Sequence, residues 1–409
     1  MVSSTKPTKL FRAFSSIGTA LALALLFAGL AHRPAQAQTL KTILSFNGIT
    51  DGAYSSSGLV SDANGNLYGT TQAGGVFNFA NGGTVFRVDR TGHETVLYSF
   101  CAETNCADGG VPLGGVILDS SGNLYGATSG GGAYGFGAVF KIDSTGKETV
   151  LYSFQGLAQG DGAYRAYGKL VRDAAGNLYG VTLNGGLTCS LSTTGCGVVY
   201  KIDPAGKETI WHRFTGDSDG GLPPADLIAG GGGFYGTTFQ GGSNTCGGVY
   251  KISATGSFAV VYNFDCFNTD GPNAGLVRGA GGSLYGTTAF GGTFSRGTVF
   301  KLNPGTGVAT VLHSFQGGTA DGCAPSQGNL TLDAAGNIYG TTPDCGANSY
   351  GIAFKLDSSG NETVLYNFGG AAGGLPQTTL LLDHDGHLYG TTYENANFSC
   401  CGTVFKLTP

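Results

Sequence analysis

The chain has little of what several classes of protein need. Its 409 residues include one Met, the initiator, and one Trp, and only 11% of them are charged. Beyond the N-terminal region, no stretch keeps apolar residues at helical spacing without an interrupting Gly, so an α-rich protein is not expected. The 75 Gly follow no three-residue period, which excludes collagen. Because 41% of the residues are hydrophobic, the chain is not a disordered one, and β structure with many turns remains.

Residues 1–37 have the form of a secretory signal peptide. Three basic residues among the first twelve precede an uncharged apolar run over positions 17–31, and residues 35–37 read Ala-Gln-Ala, the small-x-small pattern that signal peptidase recognises. The run is shorter than the roughly 20 residues of a membrane-spanning helix, and no other long apolar segment follows. We therefore expect a mature chain of residues 38–409 without a membrane span, in the periplasm or outside the cell; an N-terminal anchor is the alternative.

The charge balance argues against nucleic acid as a partner. The formal net charge is −5 at pH 7, and removal of residues 1–37 would take four basic residues with it, Lys6, Lys9, Arg12 and Arg33. Proteins that bind nucleic acid instead concentrate Lys and Arg on one face. No reaction is named by any motif in the chain.

A unit of a little over 50 residues recurs seven times. Each copy contains a segment such as GNLYGTT at 65–71, and the central tyrosines of these segments lie 50 to 57 residues apart. They are Tyr68, Tyr125, Tyr179, Tyr235, Tyr285, Tyr339 and Tyr389. In the second copy, four strand-like runs, named A to D, cover 115–119, 123–128, 138–143 and 148–154. Seven units of four antiparallel strands predict an all-β fold, the seven-bladed β-propeller, over residues 38–409.

The ends of the chain predict how this ring closes. The last copy ends with strand C at 402–408, whereas KTILSF at 41–46 matches strand D and has no A, B or C before it. We therefore predict that the N-terminal strand supplies strand D of the last blade. Without this strand, the last blade would end at strand C with an exposed edge, to which other chains could pair.

The repeats resemble a known bacterial family. GNLYGTT, a Gly-rich loop, G-x-V-F-K-[IL]-D, T-V-L-Y-x-F and Asp-Gly follow one another as in the GloVer (Gloeo-Verruco) tandem repeat family, over essentially the whole mature chain. The resemblance implies a secreted or surface protein of no established activity that often carries a C-terminal anchor. This chain stops straight after strand C, so we expect release. A more distant likeness to secreted seven-bladed propellers of the virginiamycin B lyase type keeps an enzyme among the alternatives.

In a propeller the D to A and B to C loops lie on one face, here called the loop face, and the A to B and C to D turns lie on the other, the hairpin face. All ten Cys fall in loops of the loop face. An even Cys count in a secreted chain indicates disulfides. The predicted pairs are Cys101 with Cys106, Cys189 with Cys196, Cys246 with Cys266 and Cys323 with Cys345, while the state of the neighbours Cys400 and Cys401 is left open. No metal site is expected there, because the face offers neither CxxC pairs nor His.

Six of the seven D to A loops carry Asp-Gly, at Asp51, Asp108, Asp161, Asp219, Asp270 and Asp321. The functional interpretation is a ring of carboxylates near the mouth of the central channel that holds sugar hydroxyls or a cation such as calcium; otherwise no cofactor is expected. The structural interpretation, which repetition in nearly every blade favours, is that each Asp caps its own turn.

Aromatic and basic residues also recur at fixed positions. The aromatic residues of the loop face could stack on sugar rings, although packing between blades is favoured; they are Phe77, Phe79, Tyr134, Phe136, Tyr164, Phe239, Phe290, Tyr393 and Phe398. A basic residue stands in every strand C, and we expect it to pair with carboxylates of the hairpin turns; the seven are Arg87, Lys141, Lys201, Lys251, Lys301, Lys355 and Lys406.

The histidines lower the expectation of an enzyme. His93, His384 and His387 fall in hairpin turns, and His212 and His313 in outer strands D, so none lies beside the channel mouth to act as a general base. The preferred function is thus an extracellular binding module, monomeric, for a glycan or a protein partner. The alternatives are a polysaccharide lyase or hydrolase that uses loop-face carboxylates, and a structural surface protein without a small ligand.

Overall fold

A computed structural model describes Met1 and residues 38–77, 82–164, 168–325, 328–395 and 401–409. The chain divides into Met1–Gln38 and Thr39–Pro409, and the strands among the described residues all belong to the second unit. Residues 2–37 of the predicted signal peptide lie outside the described residues, as do Phe79, Phe398 and Cys400. Within the described ranges, no helix is long and apolar enough to cross a membrane.

Thr39–Pro409 forms seven four-stranded antiparallel sheets, the blades of a β-propeller, which confirms the predicted fold. Strands A to D of blade 1 are Val60–Ser61, Leu67–Thr71, Thr84–Val88 and Glu94–Ser99; of blade 2, Ile117–Leu118, Leu124–Ala127, Ala138–Ile142 and Glu148–Ser153; of blade 3, Val171–Arg172, Leu178–Thr182, Val198–Ile202 and Glu208–Arg213. Those of blade 4 are Ile228–Gly230, Gly233–Thr238, Gly248–Ser253 and Phe258–Asn263; of blade 5, Val277–Arg278, Leu284–Thr288, Thr298–Asn303 and Val308–Ser314; of blade 6, Thr331–Leu332, Ile338–Thr342, Ile352–Leu356 and Glu362–Asn367. Blade 7 consists of Leu381–Leu382, Leu388–Thr392, Thr403–Thr408 and Thr39–Ser45.

The loops between the blade strands contain short secondary-structure elements. Two two-stranded ribbons pair Gly162–Ala163 with Asn184–Gly185 and Gly322–Cys323 with Asp344–Cys345, and four 3-10 turns cover Thr104–Cys106, Leu157–Gln159, Ala280–Gly282 and Gly370–Ala372.

The ring closes as the chain ends predict. The N-terminal strand Thr39–Ser45 runs antiparallel to Thr403–Thr408, with Leu40 opposite Leu407 and Ser45 opposite Thr403. The two ends of the propeller are therefore held in one sheet, and the last blade keeps no open outer edge at strand C.

The same aromatic contact joins all seven blade junctions. The Phe that follows strand D packs edge-to-face on the aromatic residue in strand C of the next blade, with ring centroids 4.9–5.2 Å apart. Phe100 on Phe140 is one example, and both side chains are fully buried. Inside the blade, the strand C ring lies against the Gly of the LYGT segment: a Cβ on Gly126 would sit 2.5 Å from Phe140 Cζ. The segment requires Gly because the ring occupies the space of a side chain.

Contrary to expectation, the described residues contain no ion pair between a basic residue of strand C and a carboxylate of a hairpin turn. In blades 2 to 7 the Lys ammonium instead lies 5.5–6.0 Å from the ring centroid of the Tyr opposite it in strand B, as Lys141 does over Tyr125. The reason is that the turn carboxylate already has partners. Asp119, for example, accepts hydrogen bonds from the Tyr125 hydroxyl at 3.0 Å and from two backbone N–H groups of its own turn.

Candidate functional site

The loop face is held together by pairing between its loops. In each blade the D to A loop meets the B to C loop through an antiparallel bridge or a two-stranded ribbon, as at Ala53 with Ala73 and at Gly110 with Gly130. These backbone pairs extend the rigid sheets into the loops. The described side chains beside these pairs are therefore positioned by the sheets of the propeller.

Disulfides reinforce the same face. The four bonded pairs are Cys101–Cys106, Cys189–Cys196, Cys246–Cys266 and Cys323–Cys345, the four that the sequence predicts. Cys323–Cys345 crosslinks the two strands of the loop ribbon in blade 6. Cys401 is buried, and its neighbour Cys400 is outside the part of the chain that the structure describes.

Five of the six loop aspartates serve the loops themselves. Each accepts a hydrogen bond from a backbone N–H one or two residues beyond the Phe that follows strand D, at 2.6–3.1 Å: Asp51 from Asn47, Asp108 from Ala102, Asp161 from Gln155, Asp219 from Thr215 and Asp321 from Gln316. Asp270 makes no such bond within the described residues, and Asp265 caps that loop instead, by accepting the N–H groups of residues 267–269. Ligand binding by the six aspartates stays a prediction.

Four of these aspartates also face a Glu that begins strand D of the following blade. Asp108 faces Glu148, and Asp161 and Glu208 accept one Tyr152 hydroxyl between them, at 2.9 and 3.0 Å. Burial, and then the neighbouring Asp51 carboxylate, raise the pKa of Glu94 to about 8. Burial, and then Asp108 and Glu103, raise the pKa of Glu148 to about 7. Burial of these Glu side chains, with a second carboxylate facing each of them, thus favours their protonated form near neutral pH.

The central channel contains polar residues that the sequence analysis missed. The residue two positions before strand A faces the channel, and in blades 3, 4 and 6 it is Lys169, Asp226 and Asn329. Asp226 accepts hydrogen bonds from the Lys169 backbone N–H at 2.6 Å and from Asn329 Nδ2 at 2.7 Å. The Lys169 ammonium donates to the Leu59 carbonyl at 3.3 Å. Burial lowers the pKa of Lys169, and Asp226 partly offsets that shift.

Small residues at the other ring positions make room for this cluster. Blades 1, 2 and 5 carry Gly58, Gly115 and Gly275, and a Cβ on Gly115 would lie 2.7 Å from Lys169 Cε. An alignment of the repeats contains the signal, since the same position reads Gly, Gly, Lys, Asp, Gly, Asn and Thr from blade 1 to blade 7. The cavity that remains is about 20 Å³, room for about one water molecule.

Exposed apolar side chains are concentrated on the loop face. The large exposed ones in its loops are Ile49, Val76, Phe77, Tyr134, Tyr164, Leu187, Phe267, Phe290 and Phe294. Within the described part of Thr39–Pro409, the others are Val260 and Val308 on outer strands D, and the hairpin turns expose none. Of the aromatics singled out in the sequence, Phe136, Phe239 and Tyr393 are half-buried and pack, Phe136 against Tyr164 and Tyr393 against Tyr54. One face therefore combines exposed apolar side chains with loops that pair through their backbones.

A groove on this face runs between the loops of blades 2 to 4. Tyr164 and Leu191 supply its apolar lining, and Asn184, Ser192 and Thr194 supply polar groups. Asn184 Nδ2 donates to Thr194 Oγ1 at 2.9 Å, which fixes the amide at the groove wall. An exposed aromatic ring beside oriented amide and hydroxyl groups suits a ligand with both apolar faces and hydroxyls.

Three overlapping segments, residues 28–190, 159–334 and 318–409, match the model of the Gloeobacter/Verrucomicrobia repeat. The chain belongs to this repeat family. In this chain the repeats of the family form the blades of the propeller, and the N-terminal strand completes the last blade. No curated protein is significantly similar to the chain in sequence.

Solved structures share the fold at low sequence identity. One is the extracellular domain of a protein described as a hybrid two-component system of B. thetaiotaomicron, with a TM-score of 0.55 and 13% identity over 88% of this chain. The match covers 39% of that domain, so this repeat-family chain spans less than half its length. Another is an oligogalacturonate lyase in complex with manganese, with a TM-score of 0.54 and 12% identity over 91% of this chain and 96% of that one. At such identities the likeness shows the propeller fold alone.

Proposed function

We propose that the protein is an extracellular binding module that holds its ligand on the loop face, with carbohydrate as the first ligand class and a protein as the second. The observation that carries the proposal is the one-sided distribution of exposed apolar side chains. Nine lie in loop-face loops and none in the hairpin turns of the described chain. Soluble proteins rarely expose such side chains together unless the surface meets a partner.

Secretion is part of the proposal. Four disulfides support it, because such bonds persist in oxidising compartments. The basic, apolar and Ala-Gln-Ala segments of residues 1–37 support it as well.

A glycan array probed with the oxidised protein, with and without calcium, tests the ligand class. Tyr164→Ala removes the exposed ring of the groove, and we expect glycan binding to weaken by at least about tenfold, which corresponds to about 1.4 kcal/mol. Val308→Ala is the matched control: Val308 is 59% exposed but lies on an outer strand, so its removal should leave binding unchanged.

The other outcomes separate the alternatives. Equal loss in both variants, or no loss in Tyr164→Ala, would contradict the groove as the site. Binding that calcium strengthens would support the loop aspartates as calcium ligands. New reducing ends or unsaturated products from a polysaccharide would indicate that the protein is a hydrolase or lyase and not a binding module.

A further inference from the structure

Three ligating side chains converge where blade 5 meets blade 6. His313 comes from strand D of blade 5, Asp321 from the following loop and Glu362 from the start of strand D in blade 6. His313 Nε2 lies 3.4 Å from Asp321 Oδ2 and 3.8 Å from Glu362 Oε2, and the three ligand atoms all lie within 4.8 Å of one another. The cluster does not belong to the loop-face groove.

The equivalent junctions show what is unusual here. Between blades 2 and 3 a Tyr replaces the His, and the Tyr152 hydroxyl bridges Asp161 and Glu208 at 2.9 and 3.0 Å. Between blades 3 and 4 His212 approaches Asp219 at 3.0 Å, but the position of the Glu is Phe258, on which the imidazole stacks. Within the described residues, only the junction of blades 5 and 6 brings a His to two carboxylates across blades.

Two buried atoms of the cluster lack a hydrogen bond. His313 Nε2 and Glu362 Oε1 are shielded from solvent and have no hydrogen-bond partner. The equivalent oxygens of Glu94, Glu148 and Glu208 also lack one, so the imidazole nitrogen is the unpartnered atom that distinguishes this junction. Asp321 is held in place by backbone N–H groups of Gln316 and Gly322, each at 2.6 Å. A buried polar atom without a hydrogen bond costs free energy, whereas a bound cation would engage His313 Nε2 together with the carboxylates that face it.

The spacing suits a metal ion better than a hydrogen-bonded pair. Metal–ligand bonds of about 2.0–2.2 Å in a tetrahedral site place neighbouring ligand atoms about 3.3–3.6 Å apart. The separations of 3.4 and 3.8 Å from His313 Nε2 are close to this range and longer than the hydrogen bonds of the Tyr152 junction. Imidazole together with carboxylates is a donor set that zinc and similar divalent ions use.

We propose that His313, Asp321 and Glu362 bind one divalent transition-metal ion, for which Zn²⁺ is the probe, with water in the remaining position. The ion links strand D of blade 5 to strand D of blade 6 and neutralises the carboxylate pair between them. Its role is that of a crosslink between neighbouring blades, next to the Cys323–Cys345 disulfide.

Isothermal titration of the chelator-treated full chain with Zn²⁺, together with melting temperatures with and without Zn²⁺, tests the proposal. We expect a site in the wild type that His313→Tyr weakens at least about tenfold, together with loss of the zinc-dependent rise in melting temperature. The variant introduces the residue that blades 1, 2, 4 and 6 carry at this position, Tyr98, Tyr152, Tyr262 and Tyr366, so it should fold. Glu362→Gln removes a second ligand with little change in volume and should weaken the site likewise.

Two controls come from the repeats themselves. His212→Tyr removes the other strand D imidazole, and His387→Asn removes the imidazole of the hairpin cluster with Asp383 and Asp385, where other blades carry Asn. Both should retain the zinc site. Absence of zinc binding in the wild type, unchanged binding in His313→Tyr and Glu362→Gln, or loss of the site in a control would overturn the proposal.

Discussion

Asn329 donates from Nδ2 to Asp226 Oδ2 at 2.7 Å, although 103 residues separate the two in the chain. They belong to blades 6 and 4, so the bond passes the intervening blade 5 inside the channel. It can do so because blade 5 places Gly275 there, whose N–H donates to Asn329 Oδ1 at 2.6 Å. The contact fixes non-adjacent blades relative to one another.

Gly275→Ala should therefore destabilise the protein. The added Cβ would lie 2.7 Å from Asn329 Oδ1, which forces that side chain away from Asp226. We expect a loss of about 1–3 kcal/mol in the free energy of unfolding, measured by urea denaturation. Gly130→Ala is the control, since the nearest atom to its Cβ is 3.8 Å away and no comparable loss is expected.

The junction of the chain ends should be sensitive to Phe46. This side chain is 2% exposed and packs edge-to-face on Phe86 at 5.1 Å, where blade 7 meets blade 1. Phe46→Ala should lower the free energy of unfolding by about 3–5 kcal/mol, because it removes a buried ring and leaves a cavity. Denaturation followed by tyrosine fluorescence measures the change; a loss below about 1 kcal/mol would argue against closure through the N-terminal strand.

Stability should fall as the pH rises from about 5 to 8. Burial and the facing Asp51 carboxylate raise the folded-state pKa of Glu94 from 4.5 to about 8, so the folded protein keeps a proton that the unfolded chain releases above pH 4.5. The free energy of unfolding therefore decreases progressively until the pH passes about 8. Melting temperatures across this range, for wild type and Glu94→Gln, measure the effect. The variant has no titrating carboxyl group at this position, so its melting temperature should depend less on pH. Parallel curves for the two proteins would contradict a raised pKa of Glu94.

The disulfides should differ in their contributions. Cys323 and Cys345 are 22 residues apart, whereas Cys101 and Cys106 are 5 apart. A disulfide that closes a longer loop restricts the unfolded chain more. We therefore expect Cys323–Cys345 to contribute about 3 kcal/mol to the free energy of unfolding and Cys101–Cys106 about 2 kcal/mol. Replacing each pair by Ala and measuring urea denaturation should reproduce this order, and the reverse order would count against the entropic account.

Much of the fold could be predicted because its determinants are local and repeated. Each GNLYGTT segment carries its own turn, its own strand and the Gly that the strand C ring requires, so one copy explains the others. The N-terminal strand follows from counting which blade lacks a strand D, and the Cys pairs join residues of one loop or of two loops of one blade. The one-residue bulge in strand D, between the partners of Val139 and Phe140, was not foreseen, since the run ETVLYSF alternates without any sign of it.

The sequence by itself determined the seven blades, their closure and the face on which the cysteines lie, because hairpins and sheet pairing depend on residues close together in the chain or at equivalent positions. Only the tertiary structure decided that Lys169, Asp226 and Asn329 meet in the channel and that His313 and Glu362 meet Asp321 between blades. Those contacts depend on how the ring brings different blades together, and they form at the positions where one copy of the repeat departs from the rest.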